Sequence, residues 1–258
     1  VTAIVDSPEA WRRERQEQLR KGLSLGFVPT MGALHDGHRS LVQRSRLEND
    51  RTLVSIFVNP TQFDDPGDLV KYPRVVDEDL RMLREEGTDF LFLPTEAALY
   101  ADGFRYRVHE RERSTVMEGA HRPGHFDGVL TVVLKLLSIA GADRAYFGEK
   151  DWQQLDLVRG MVEAFFVPTA IVPCATVREP DGLALSSRNR RLVAADREKA
   201  PAFHRLLSTS ASAAEASAGL RDAGFIVDYV EDHDGRRLGA VRLGGIRLID
   251  NVPLPERP

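Results

Sequence analysis

The chain has one cysteine, Cys174, in 258 residues. A single thiol excludes an internal disulfide framework and a cysteine-built zinc cluster. No apolar run approaches the ~20 residues that span a bilayer. The first fifteen residues turn polar too soon for a secretory leader, so a cytoplasmic protein with no membrane partner is expected. Lysine is scarce, with 5 against 30 arginines, a compositional habit that makes each lysine noticeable. Neither sign of charge is in excess: 39 acidic and 35 basic residues leave a net charge of −4. A nucleic-acid coat protein carries a basic domain, so nucleic acid is not the expected partner. A small anion held by a few placed cations remains compatible with that balance. Disorder is excluded by 42% apolar and 29% charged residues, the proportions of a folded globular protein.

At roughly 100–200 residues per domain, the length allows one large domain plus a small one. Residues 23–28 form a short apolar run closed by Pro29, and residues 37–47 suit one helix. Residues 52–58 (TLVSIFV) are a continuous β-branched run, as expected of a strand buried on both faces. This is one parallel crossover unit. The alternation continues with a helix at 75–86 stopped by Gly87, a strand at 89–93 and an apolar helix at 127–140. It closes with a strand at 144–147, a helix at 152–165 and a strand at 169–172. Such alternation predicts an α/β fold with a Rossmann-like, doubly wound parallel sheet.

After residue 176 the texture changes. One helix is expected at 194–207, a Ser/Ala-rich linker or weak helix at 208–218, and three short strands near 225–230, 238–243 and 246–251. Net charge shifts from −5 over residues 1–176 to +1 over 177–258. The expected organisation is a catalytic domain at 1–176 and a smaller α+β domain at 177–258.

The segment richest in chemistry is Pro29-Thr-Met-Gly-Ala-Leu-His35-Asp-Gly37-His38. It lies between a strand and a helix, where open α/β sheets bind ligands. A helix N-terminus offers unpaired N–H groups and partial positive charge to a phosphate. Gly32 and Gly37 let the backbone approach a flat ligand. His35 and His38 can share a face and donate to phosphate oxygens. Asn59 and Gln62 follow the next strand as neutral amides suited to a hydroxyl or carboxylate; Asn59-Pro60 can equally be a plain turn. Gly148 permits a turn after a later strand, Asp151 can cap the helix beyond it, and Lys150 is a compact cation suited to phosphate. Gln153 and Gln154 open that helix. Ser186, Ser187 and Arg188 could grip triphosphate oxygens, although such strings are more often ordinary loops. Arg122 could serve a carboxylate or phosphate, while His125 could simply cap its helix. His109, His121, His204 and His233 show no partner spacing. Cys174 reads as a small buried apolar residue. No His/Asp/Glu set has the spacing of a metal cage.

His-x-Gly-His at 35–38 resembles the HIGH signature of the nucleotidyl-transferring Rossmann superfamily, which includes the class I aminoacyl-tRNA synthetases. The wider pattern resembles the pantothenate synthetase (pantoate–β-alanine ligase) family. The segments that carry it are PTMGALHDGH at 29–38, FVNPTQF at 57–63, Tyr72-Pro73-Arg74 and RPGHFDGVLTVVLKL at 122–136. FGEKDWQQ at 147–154, Val177-Arg178-Glu179 and DGLALSSRN at 181–189 complete it. Jointly, and in this order, they are specific.

The resemblance implies ATP-dependent condensation of pantoate with β-alanine through a pantoyl adenylate, with ATP as substrate and Mg2+ accompanying it. It implies an ATP site of Met31, Gly32, His35, Gly37, His38, Gly148, Lys150, Asp151, Val177, Leu185, Ser186, Ser187 and Arg188. His35, His38, Lys150 and Arg188 would act on the reacting phosphates. Gln62 and Gln154 would hold pantoate, with Asn59 and Arg122 as further substrate candidates. Residues 181–189 look like the counterpart of the synthetases' mobile KMSKS loop, and relatives carry Met or Leu at the place of Leu185. The site would lie between the domains, the smaller one serving as a lid, in a homodimer. The stretch 207–225 looks shorter than the family usually shows.

Another adenylylating nucleotidyltransferase is the alternative, but a phosphorylated acceptor would call for more Arg or Lys than Gln62 and Gln154 provide. A non-catalytic nucleotide-binding module would have little use for the retained histidines, lysine and Ser-Ser-Arg. A tRNA ligase would need an anticodon-binding domain, for which the chain has no room.

Overall fold

The computed structural model describes residues 2–64 and 66–255. In chain order the first elements are β1 (Ala3–Val5), α1 (Pro8–Arg20), β2 (Leu25–Thr30), α2 (Asp36–Glu48) and β3 (Arg51–Ile56). Next come the short α3 (Pro66–Lys71), α4 (Val76–Glu85), β4 (Phe90–Phe92), and the short α5 (Glu96–Leu99) and α6 (Glu118–His121). Then follow α7 (His125–Ala140), β5 (Arg144–Gly148), α8 (Trp152–Ala164) and β6 (Ala170–Cys174).

The six strands form one parallel sheet in the order β1-β4-β3-β2-β5-β6. The doubly wound expectation therefore holds. Alternate strand residues point to opposite faces. Val28, Val54 and Leu91 pack with Leu41 and Val42 of α2 and Leu80 and Leu83 of α4. Phe90 faces the other way and meets Trp11 of α1 edge-on at 5.4 Å. The chain order reverses between β2 and β5, the switch point outside which ligands of such sheets bind.

Three local expectations are corrected here. Pro29 lies inside β2 rather than closing it, in register with Ser55. Thr30 accepts from Phe57 on the β3 side and Leu25 accepts from Asp143 on the β5 side. Pro29 therefore turns its missing donor toward β5, where pairing has already ended at Phe27. Residues 2–22, where no element was expected, hold β1 and α1. Their helix signal is masked because α1 buries polar side chains beside Trp11. Arg15 is spent on the carbonyls of Gly141 and Leu23 and on Asp143. Gly148 is not demanded by its turn: it is absent from the left-handed glycines, and a Cβ there would meet nothing within 4 Å.

The chain divides into two compact units. One holds the chain to Gly148 and Gln153–Cys174; the other holds Glu149–Trp152 and the chain from Ala175 onward. The second contains α9 (Ala194–Lys199), α10 (Ala202–Thr209), α11 (Ala213–Asp222) and the antiparallel sheet β7 (Ile226–His233), β8 (Arg236–Leu243), β9 (Ile246–Pro253). Phe203, Leu207, Leu220, Val241, Leu248 and Val252 form its core. The single helix expected at 194–207 is two, because Pro201 lacks the N–H that a continuous helix needs. Of the linker or weak helix expected at 208–218, the helix is found: α11 begins there at Ala213. Ser212 accepts from the Glu215 N–H, and the Glu215 carboxylate accepts from the Ala211 N–H. Both hairpins turn on residue pairs with positive φ, Asp234-Gly235 and Gly244-Gly245, as two-residue hairpins require.

Candidate active site

In the first unit the site grows from the end of β2. Thr30 donates its hydroxyl to the Ser55 carbonyl at 2.7 Å and accepts from the Gly32 N–H at 3.1 Å. Ala33 then takes a left-handed φ of 51°. That conformation is costly for a residue with a Cβ and persists only where the surroundings impose it. Asp79 imposes it: its carboxylate, 2% exposed, accepts from the Ala33 N–H at 2.9 Å and the Leu34 N–H at 2.7 Å. Removing this acceptor strands two buried donors, each worth about 1.5–3 kcal/mol against a charge. Asp79→Ala should therefore lose about 3 kcal/mol or more in urea unfolding. A loss below about 1 kcal/mol would mean the loop holds itself.

His35 is the N-cap of α2, and its Nδ1 accepts from the Gly37 N–H at 3.2 Å. His38 reaches back, its Nδ1 accepting from the His35 N–H at 3.3 Å. The two rings lie 4.2 Å apart. Capping and phosphate binding could compete for the same ring nitrogens. The geometry makes them compatible: a ring nitrogen that accepts carries no proton, so each imidazole proton sits on Nε2 as a donor. The pair thus adds two fixed side-chain donors at a helix N-terminus.

Gln62 ends a 3-10 turn, Pro60–Gln62, after β3. Its amide donates to the Met31 sulfur at 3.0 Å and accepts from Asn59 at 3.1 Å. Asn59 is 1% exposed and fully engaged. It also donates to the Gly128 carbonyl, and its oxygen accepts from Thr61 and Tyr100. In this geometry Asn59 orients Gln62. Gly128 lets α7 approach this turn, since a Cβ there would fall 2.3 Å from the Thr61 carbonyl.

Arg122 and His125 hold the same turn from the other side. Arg122 donates to Asp64 at 2.8 Å, to Glu118 at 3.2 Å, to His125 Nε2 at 3.1 Å and to the Gln62 carbonyl at 3.1 Å. His125 Nδ1 donates to that carbonyl at 2.8 Å. His125 is not the helix cap that the sequence allowed, because Gly124 occupies the N-cap. Burial, then the Arg122 charge, pushes the His125 pKa from 6.5 down to about 4, against the pull of the bond to Gln62. Between those two pH values the unfolded chain binds a proton that the folded one refuses. Stability is therefore complete above pH ~6.5 and falls as pH drops toward 4, by about 3 kcal/mol at ~1.4 kcal/mol per pH unit. Unfolding free energies of wild type and His125→Gln at pH 7 and pH 4 check this: the variant should lack that share of the loss. Parallel pH curves would sink the assignment.

Of the two glutamines opening α8, the structure singles out one. Gln153 is buried and spent, accepting from the Glu118 N–H and donating to the carbonyls of Arg113 and Val116. Gln154 is only half-buried.

In the second unit, Glu149–Asp151 form a 3-10 turn carrying Lys150. The Lys150 ammonium lies 3.7 Å from Asp151 and its side chain is one-fifth exposed. Asp151 sits within this helical turn, not at an extended capping position as expected. Residues 177–185 form a hairpin in which the Leu185 N–H donates to the Val177 carbonyl at 3.0 Å. Ser186 then caps a 3-10 turn, Ser187–Arg191, accepting from the Arg188 N–H at 3.2 Å. Asn189 is buried and donates to Glu179 and the Ala184 carbonyl, while Arg197 pairs with Glu179 and Asp181. Residues 186–188 are therefore a half-buried turn with a braced base.

Asp79 and the Arg122–His125 grip were not identified from the sequence. Each acts on backbone far away in the chain, so no local spacing announces it. Among the described residues no cluster of three or more His, Cys, Asp or Glu could hold a metal ion, and no helix is long and apolar enough to cross a membrane.

A parallel sheet whose switch-point loop carries two capping histidines at a helix N-terminus defines a nucleotide-binding α/β protein. The chain belongs to the pantoate-β-alanine ligase family, whose model it matches over residues 3–253. It is 53% identical to the pantothenate synthetase of Bdellovibrio bacteriovorus, over 98% of this chain and 100% of that one. It is 52% identical to that of Legionella pneumophila strain Lens, over 95% and 96%. Among solved structures, the pantoate-β-alanine ligase of Francisella tularensis, complexed with beta-gamma ATP and β-alanine, matches with a TM-score of 0.92. Its identity is 41%, and 98% of each chain is covered.

Proposed function

We propose that this protein ligates pantoate to β-alanine at the expense of ATP, releasing AMP and pyrophosphate. The observation that carries this is the family match across both units, with a relative of the same fold complexed with beta-gamma ATP and β-alanine. The chemistry runs in two steps. A pantoate carboxylate oxygen attacks the α-phosphorus of ATP, and pyrophosphate leaves. The β-alanine amine then attacks the carbonyl of the acyl adenylate, the amide C–N bond forms, and AMP leaves.

In this reading the protein contributes positioning and electrostatics, not a covalent intermediate. His35 and His38 donate from Nε2 to phosphate oxygens at the start of α2. Lys150 and Arg188 supply positive charge, with Ser186 and Ser187 adding hydroxyl donors. Met31, Gly32, Gly37, Gly148, Asp151, Val177 and Leu185 line the nucleotide. Gln62 and Gln154 hold the pantoate hydroxyls and carboxylate as neutral amides, with Asn59 and Arg122 fixing Gln62 in place. Mg2+ enters as part of the nucleotide substrate, bound through phosphates and water. A homodimer and a cytoplasmic location belong to the same proposal.

The test is AMP release from ATP with pantoate and with other hydroxy acids, each with and without β-alanine. Pantoate-dependent pyrophosphate release, followed by β-alanine-dependent release of AMP, is expected. ATP binding without pantoate-dependent turnover would reduce the protein to a nucleotide-binding module. Turnover of a phosphorylated acceptor instead would favour another nucleotidyltransferase.

A further inference from the structure

Asn251 sits mid-strand in β9, between Asp250 and Val252, where asparagine is a poor strand former. It is 2% exposed, so its amide must find partners within the protein. Nδ2 donates to the Glu149 carbonyl at 2.8 Å and to the Lys150 carbonyl at 2.9 Å. Oδ1 accepts from Arg236 Nε at 2.7 Å. Only this orientation works: the reverse would set oxygen against two carbonyls and an amino group against a guanidinium. Arg236 in turn lies over the Trp152 ring at 4.1 Å, with the Glu149 carboxylate 3.5 Å away. Side chains from β8 and β9 therefore grip the turn 149–152, about a hundred residues earlier in the chain. The adjacent Asp250 carboxylate, also buried, binds Arg178 at 2.6 and 3.0 Å, and Arg178 donates to the Gly182 carbonyl within the hairpin 177–185.

We propose that Asn251, locked by Arg236, is a positioning residue for Lys150. It ties the lysine's backbone to the same strand that, through Asp250 and Arg178, anchors the hairpin leading to Ser186, Ser187 and Arg188. The phosphate-directed cations of the second unit then share one frame, and their spacing is set by β9. This rests on the reading that Lys150 engages phosphate.

A double-mutant cycle on pantoate-dependent ATP–pyrophosphate exchange tests it. Asn251→Ala should lower kcat about 10–100-fold, as expected when a catalytic group is misplaced by about an ångström. In a Lys150→Ala background the same substitution should cost less than about twofold, because the residue it positions is gone. An unchanged kcat in Asn251→Ala overturns the proposal, as does a full loss that persists without Lys150. If Asn251→Ala fails to fold, Arg236→Met takes its place. It keeps an apolar cover on Trp152 but releases the amide, and the same two criteria apply. Wild-type exchange in Lys150→Ala alone would instead remove the phosphate role of Lys150, and the proposal with it.

Discussion

His38→Ala should lose about 10²–10³-fold in the rate of pantoate-dependent pyrophosphate exchange, the usual cost of deleting one preorganised donor to developing charge. The substitution also removes a cap, since His38 Nδ1 accepts from the His35 N–H. A lost cap costs about 1 kcal/mol of stability, so activity and stability must be separated. His38→Glu separates them. A carboxylate at this third helical position restores the bond to the N-cap N–H. It supplies no donor and places negative charge beside the phosphates. Urea unfolding should recover to near wild type while exchange stays low or falls further. Full exchange in His38→Ala would end the phosphate role and leave His38 a cap.

Lys150→Ala should reduce turnover by a comparable factor of about 10² or more. Little stability is at stake, because among the described residues Lys150 pairs only with Asp151, at 3.7 Å, which is itself half-exposed. Such pairs contribute about 0–1 kcal/mol. Lys150→Arg keeps the charge but substitutes a planar fork for a compact ammonium, so partial activity is expected. The rate loss should appear in kcat of exchange more than in ATP binding, because charge accumulates on the leaving pyrophosphate. An unchanged rate would return Lys150 to an ordinary surface cation. Together the two variants probe one donor from each compact unit.

The elements readable in the sequence are those whose burial pattern is local and uniform. The run TLVSIFV announced β3, whose residues 52–56 are buried on both faces. Gly87 announced the end of α4 through its left-handed φ of 67°. The histidine pair announced the start of α2, because a strand-to-helix turn needs caps and the two residues satisfy each other within four positions. What escaped was burial of polar atoms. In α1, the polar Arg15 and Gln18 are buried beside Trp11, so the helix shows no clean apolar stripe. The same holds at the site. Gln153 and Gln154 look alike in sequence, and only the packing of α6 around Gln153 tells which amide is structural.

The sequence by itself determined the alternation of strands and helices, the strand-to-helix loop that carries the histidine pair, and the family. Each is written in short-range periodicity or in motifs within about ten residues. Tertiary structure alone decided which body carries each charge. Lys150 follows β5 directly in the chain, yet its turn is held by Asn251 and Arg236 from the far end. The loop before His35 is likewise shaped by Asp79, 46 residues past Ala33. The reason is physical. Backbone donors and acceptors look the same at every residue, so which distant side chain satisfies them is settled only when the chain has packed.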